Sequence, residues 1–317
     1  MSSSAQPPYA SPPFDDPDAD VIIRTSDLID FRVYKVILGM VSPVFKDMFP
    51  MPQPKNDNHP TCHKDGVPVV TVTETAETMD NVLRIIHPMQ EPRHLTTLEQ
   101  VVPALEASDK YMMNQVQQAL VKYLLSFAAS APLRVYAIAC RLKLFGTARE
   151  AAKYTLQGPV YSLPSPMPRE LDQLPTTAFF YALLQYHQRC SKTATGTISS
   201  WIQLLKGESL QQLVWFSSSH AKECAAGSTI KISDIFRIVP VEVPVRLWWE
   251  DYHRAAEDAV RDRIAGATVT EPKFLEPFLQ RATACSTCRT RVLVQLPLYS
   301  SQLAKRIDDA ISKVGPS

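Results

Sequence analysis

The 317-residue chain is predicted to be α+β at its N-terminal end and mostly α-helical beyond. The α+β part is a small three-stranded sheet packed with about five helices over residues 20–128, and the helical domain runs over 129–317. Three observations carry this. Three short runs read as strands: DVIIRTSD from Asp20, DFRVYK from Asp30, and VPVVTVTE at 67–74. Between and after them, apolar residues recur at the i, i+3, i+4 spacing of one helical face. The second half has strand-poor, proline-jointed helical patterns and no repeat of about 40–50 residues, so a propeller is excluded.

The elements follow in order. Residues 1–19 hold five prolines among serines and acids, with little to bury, and predict a disordered tail. The run from Asp20 and the run from Asp30 form a hairpin, with Phe31 and Val33 alternating inward. Helical spacing then begins at Val36, Ile37, Met40 and Val41, and resumes at Val44, Phe45, Met48 and Phe49. Ser42-Pro43 separates the two halves. Serine caps helices and proline suits only a first turn, so the pair is bent there. Residues 50–66 are polar and proline-rich, a long loop before the strand at 67–74. Thr75 is placed to cap the next helix, whose Met79, Val82, Leu83 and Ile86 share one face. TTLEQVVPALEASDKY and NQVQQALVKYLLSF give two more.

These pieces, in this order, resemble the BTB/POZ domain. Asp20 in ADVIIRTSD stands at the family's aspartate, and Phe31, Val33, Tyr34 and Lys35 match its phenylalanine-x-valine-histidine-lysine signature. Leu38, Ser42-Pro43-Val44-Phe45 and Met48-Phe49 follow in register, then NVLRIIHP and ALEASDKYMM. Tyr34 replaces the usual histidine, which requires its hydroxyl to find a partner. The resemblance implies a bent helical pair that packs on the sheet and contributes to partner surfaces, with Phe45, Met48 and Phe49 shared between core and interface. The helical second half resembles the C-terminal regions of fungal members.

Beyond 128, APLRVYAIACRLKLFGTAREAAKYTL resembles the start of a BACK-type helical extension. LPTTAFFYALLQYHQRC adds a helix with Phe179, Phe180, Leu183, Leu184 and His187 on one face. LWWEDYHRAAEDAVRDRIAG and SSQLAKRIDDAISKV supply others, with prolines mostly punctuating them.

The composition excludes several function classes. A formal charge of +1 gives no basic footprint for nucleic acid. There is no membrane-length apolar run and no secretory signal at the N-terminus. Only nine glycines are present, and GxGxxG, GxxxxGK[ST] and GxSxG are all absent. Six unevenly spaced cysteines read as reduced thiols, which predicts a cytoplasmic or nuclear protein that is not secreted. No nucleophile–base–acid order stands out, so no catalytic residue is assigned.

The one local motif with chemical content is Cys285-Ser-Thr-Cys288. Two cysteines at this spacing can face one tetrahedral ion, which needs two more ligands. His220 and Cys224 supply them if they share a helical face, with His187 and Cys190 as the competing pair. A structural zinc and simple core thiols both remain open. His187, on an apolar face, reads first as a satisfied core histidine.

The expectation is therefore a non-enzymatic protein–protein interaction module, with a protein partner held through the BTB-like domain. One alternative is a substrate adaptor for a cullin-type ubiquitin ligase. The resemblance disfavours it, because Met48-Phe49-Pro50-Met51-Pro52-Gln53-Pro54 lacks the family's hydrophobic-x-glutamate element. A second alternative is a regulator or enzyme with a site around Cys285 and Cys288. The prolines before Asp20 preclude the helix that strand-swapped dimers of the family carry, so self-association is expected to be weak.

Overall fold

The computed structural model describes residues 6–50, 63–87, 94–158, 167–201, 213–216, 220, 224–232 and 241–316. The chain divides into two compact units, Met1–Thr147 and Ala148–Ser317.

In the first unit, β1 (Val21–Arg24) and β2 (Asp30–Val33) form an antiparallel hairpin with Ile23 opposite Phe31. The bent pair follows as α1 (Lys35–Val41) and α2 (Pro43–Met48). Ser42 stops α1 and caps α2, its hydroxyl accepting from the Phe45 N–H at 3.1 Å. β3 (His63–Lys64) and β4 (Val67–Thr71) are joined by Asp65-Gly66, both at positive φ, the backbone a tight hairpin requires. β4 lies parallel to β1, and the intervening helical pair provides the crossover that parallel pairing needs. The sheet order is β2-β1-β4-β3, with the two-residue β3 added to the three strands expected.

α3 (Ala76–Ile86), α4 (Leu98–Lys110) and α5 (Asn114–Ser126) complete the five helices, and α6 (Pro132–Arg141) extends the unit past residue 128. Thr75 caps α3, accepting from the Thr78 N–H, and Met79, Val82 and Leu83 are buried, whereas Ile86 is half-buried. Two further acids satisfy helix starts from a distance: Asp20 accepts from the Lys35 N–H and Asp27 from the Ala76 N–H.

The segment before β1 departs from the tail expected there. Residues 6–19 lie along the outer edge of β2. Asp30 donates its N–H to the Pro8 carbonyl and accepts from the Ala10 N–H, and Arg32 donates to the Phe14 carbonyl. Phe14 is buried between Phe31 and His87, with ring centroids 5.4 and 5.9 Å away. Proline lacks a donor but keeps its carbonyl, so a proline-rich segment can serve an edge strand from outside. Beneath it, fully buried Asp30 is held by Arg24 at 2.7 and 2.9 Å and by Lys64 at 2.8 Å.

α7 (Phe145–Tyr154) straddles the division between the units. The second unit contains α8 (Arg169–Asp172), the 23-residue α9 (Thr177–Ser199), an antiparallel hairpin of β5 (Ala226–Ile232) and β6 (Val241–Arg246), then α10 (Leu247–Asp262), α11 (Pro272–Thr283), α12 (Ser286–Arg289) and α13 (Val292–Ser312). The β5-β6 hairpin departs from the helical pattern expected of this half. α9 buries Leu183, Tyr186, His187, Cys190, Ala194 and Ile198, whereas Phe179, Phe180 and Leu184 are half-buried. The core is aromatic: Trp215 stacks on Trp249 at 4.0 Å, with Tyr299 packed edge-on to both. Pro103, Pro277 and Pro297 lie inside α4, α11 and α13 rather than at their ends. No helix among the described residues is long and apolar enough to cross a membrane.

Candidate functional site

The bent helical pair is anchored from behind. Its inner side chains, Leu38 and Phe45, are buried. Phe45 stacks on Tyr111 at 4.6 Å and on Phe49 at 6.1 Å, and Ser42 donates its hydroxyl to the Tyr111 carbonyl at 2.6 Å. Tyr111 is itself fixed: its phenol donates to Glu74 at 2.6 Å, and Lys110 reaches the other oxygen of that carboxylate at 2.8 Å. Burial alone would raise the Glu74 carboxyl, but the hydrogen bonds from Lys110 and Tyr111 outweigh it and hold the group below its ordinary value. Tyr111, directly after α4, therefore holds the bent pair through both its ring and its carbonyl.

Of the three residues expected to be shared between core and interface, Phe45 belongs to the core alone, since its ring is fully enclosed. Met48 and Phe49 are half-buried. The outward residues are Val36 and Met40 on α1, 66% and 82% exposed and one helical turn apart. A signal for them was present. A seven-residue helix with apolar side chains at 36, 37, 38, 40 and 41 has more apolar surface than one packed face can cover. Residues 51–62, on which the cullin-adaptor reading turns, lie outside the described residues.

Tyr34 does find the partner its hydroxyl needs: it donates to Asp16 at 2.6 Å, a bond that pushes its pKa up to about 12. That partner belongs to the segment laid along β2.

In the second unit, His220, Cys224, Cys285 and Cys288 come together, with their ligand atoms all within 4.8 Å of one another. The Cys224 and Cys288 sulfurs are 3.9 Å apart, and His220 Nδ1 is 3.5 Å from Cys285 Sγ and 3.4 Å from Cys288 Sγ. Cys285 precedes α12 and Cys288 lies within it. The helical face imagined for His220 and Cys224 is not what joins them. Cys224 sits at a bend leading into β5, and His220 is not in a helix. Burial pushes the Cys288 and Cys224 thiols up. Arg246, at the end of β6, donates to the Cys224 carbonyl at 3.2 Å.

The competing pair is engaged elsewhere. His187 Nε2 meets the Thr155 hydroxyl at 2.7 Å, the satisfied core histidine expected, and Cys190 is buried on the same face of α9. No disulfide joins the described cysteines. His63 is exposed on β3 and has no place in any cluster, while Cys62 lies outside the described residues.

No curated protein matches the chain. A family model, that of the BTB/POZ domain, matches residues 15–128.

Proposed function

Because residues 15–128 match the BTB/POZ domain, a protein–protein interaction module, we propose that the chain acts as a non-enzymatic scaffold or regulator docking a protein partner on the outer face of α1. The observation that carries this is the Val36/Met40 pair: two large apolar side chains presented to solvent on a helix whose opposite side is locked by Leu38. Exposed apolar pairs on a rigid support are what partner proteins bury, and the fixed position of α1 spares the cost of ordering it on binding.

Occupation of β2's outer edge by the chain's own residues favours a form in which a second copy adds no strand there. This supports the weak self-association expected for the domain.

The test compares the full chain with Val36→Glu/Met40→Glu. Affinity purification with quantitative mass spectrometry should show loss of the specific partner set in the variant, with an unchanged melting temperature. Retention of every partner would sink the reading. Co-purification of a cullin, abolished by Phe49→Ala, would move it to a ubiquitin-ligase adaptor.

A further inference from the structure

We propose that His220, Cys224, Cys285 and Cys288 bind one zinc ion in a closed structural site of the C-terminal unit. This stands apart from the docking role of the N-terminal domain and does not rest on it.

The distances carry the argument. Zinc holds thiolate sulfur at about 2.3 Å and imidazole nitrogen at about 2.0–2.1 Å in a tetrahedron. Such a tetrahedron has sulfur–sulfur edges of roughly 3.8 Å and sulfur–nitrogen edges of roughly 3.6 Å. The cluster shows 3.9 Å for one sulfur–sulfur edge and 3.5 and 3.4 Å for two sulfur–nitrogen edges. The remaining pairs all fall within 4.8 Å. A disulfide would need sulfurs about 2.05 Å apart, and a fourth group aimed between them would serve no purpose.

Charge gives a second, independent reason. Binding displaces three thiol protons while His220 coordinates through the Nδ1 lone pair and keeps its proton on Nε2. Three thiolates and one dication leave the site with a charge of −1. Arg246 is buried, bonded to the Cys224 carbonyl, and has no carboxylate in ion-pair contact among the described residues. A guanidinium stays charged in any surroundings, so a buried one calls for a neighbouring anion. A cluster of neutral thiols provides none. The loaded site provides one beside it.

The four ligands also say what the ion does. All coordination positions are filled by protein, which leaves none for water or substrate, so the site is structural rather than catalytic. It ties the segment entering β5 to the turn between α11 and α13, two stretches more than fifty residues apart in sequence. Soft thiolates with one imidazole select zinc over magnesium or calcium.

The full chain, purified under reducing conditions without added metal, is expected to carry one zinc per molecule by elemental analysis. Cys285→Ser should lose it, and the melting temperature of the wild type should fall when a strong chelator is added. His220→Cys should retain the metal and His220→Ala should not. Should the serine variant fail to fold, cobalt exchanged into wild-type protein decides the matter, since three thiolates give intense sulfur-to-cobalt charge-transfer bands. Zinc-free protein with three reduced thiols would overturn the proposal. So would a Cys224–Cys288 disulfide found by mass spectrometry, cobalt protein lacking the charge-transfer bands, or zinc that survives replacement of all three cysteines.

Discussion

The two units treat their buried polar groups differently. In the N-terminal unit the interior charges answer one another: Asp30 is shared by Arg24 and Lys64, and Asp80 pairs with Arg84 at 2.9 Å. Asn81 Nδ2 is the lone buried side-chain polar atom there without a partner among the described residues. In the C-terminal unit the buried side-chain atoms without a partner among the described residues are the indole N–H groups of Trp215, Trp248 and Trp249, the Tyr252 hydroxyl, His253 Nδ1, Arg246 Nε and His220 Nε2. Aromatic packing accounts for Trp215, Trp249, Tyr252 and His253, whose large ring area outweighs one unmade bond each, whereas the Trp248 indole lies beside the Cys288 thiol. Nothing apolar accounts for Arg246 and His220. The contrast teaches that an orphaned charge beside clustered ligand atoms marks a site, whereas an orphaned indole in a stacked core does not.

All four tryptophans lie in the C-terminal unit, so their fluorescence reads that unit alone and can set the two halves against each other. The largest effect is expected from Asp30→Ala, which leaves Arg24 and Lys64 buried without their counter-ion at a cost of about 3–5 kcal/mol. Chemical denaturation followed by circular dichroism should show this loss. The tryptophan-detected transition should move less, and an equal shift in both would break the separation drawn here.

Acid comes next, and it weighs most on the other half. Burial lowers His187 to about 4 and His253 to about 3, from an ordinary 6.5. Between those values the unfolded chain binds protons that the folded one refuses, so stability falls as pH drops from 6.5 toward 4. Each histidine contributes on the order of 1 kcal/mol per pH unit across that window. Tryptophan fluorescence of wild type and of His187→Asn should differ in acid sensitivity. An identical pH profile would remove His187 from the account. In the N-terminal unit burial and the neighbouring Arg84 lower His87 too, so a smaller loss starts in the same range, and a further loss follows as pH falls below the ordinary 4.5 of Glu74, whose carboxylate is held charged by Lys110 and Tyr111.

Gly266→Ala should be milder. A Cβ there would sit 2.2 Å from the Ala304 carbonyl oxygen, forcing backbone apart where Gly266 also donates to Asp308 at 2.7 Å. A loss of about 1–3 kcal/mol in the tryptophan-detected transition is expected. The smallest change is a gain. Lys143 ends α6 in the left-handed region at φ 57°, with the Leu144 N–H returning to Ala139 and the Lys143 N–H to Cys140. Glycine suits that position, so Lys143→Gly should stabilise the N-terminal unit by about 0.5–1 kcal/mol. A lowered melting temperature would contradict it.

The readable parts of the sequence were those where one local rule dominates. Ser42-Pro43 and Thr75 announce helix ends because capping depends on one or two residues. The alternation around Phe31 and the run of β-branched residues near Val69 disclose strands for a similar reason. What escaped depends on partners far away. Tyr9 and Phe14 look idle among prolines until β2 supplies an edge and Phe31 a face. The β5-β6 hairpin was hidden by Pro244, which is tolerated because a two-stranded ribbon has only edges. For the thiol cluster, residue type was legible and geometry was not. The four-residue spacing of His220 and Cys224 fits a helix, yet Cys224 approaches Cys288 from a bend just ahead of β5. Tyr111 offered no local hint of its part in holding both Ser42 and Glu74.

The segment from Pro8 to Phe14 changes how the domain should be trimmed. A fragment begun at Asp20, where the first strand starts, would discard the carbonyls that receive Asp30 and Arg32 and would uncover the Phe31 ring. The raw strand left behind would be free to recruit an identical neighbour, giving soluble aggregates or an artificial dimer. Self-association that emerges only in such a fragment would be a property of the cut, and a fragment retaining Pro7 onward is the one whose stoichiometry speaks for the protein.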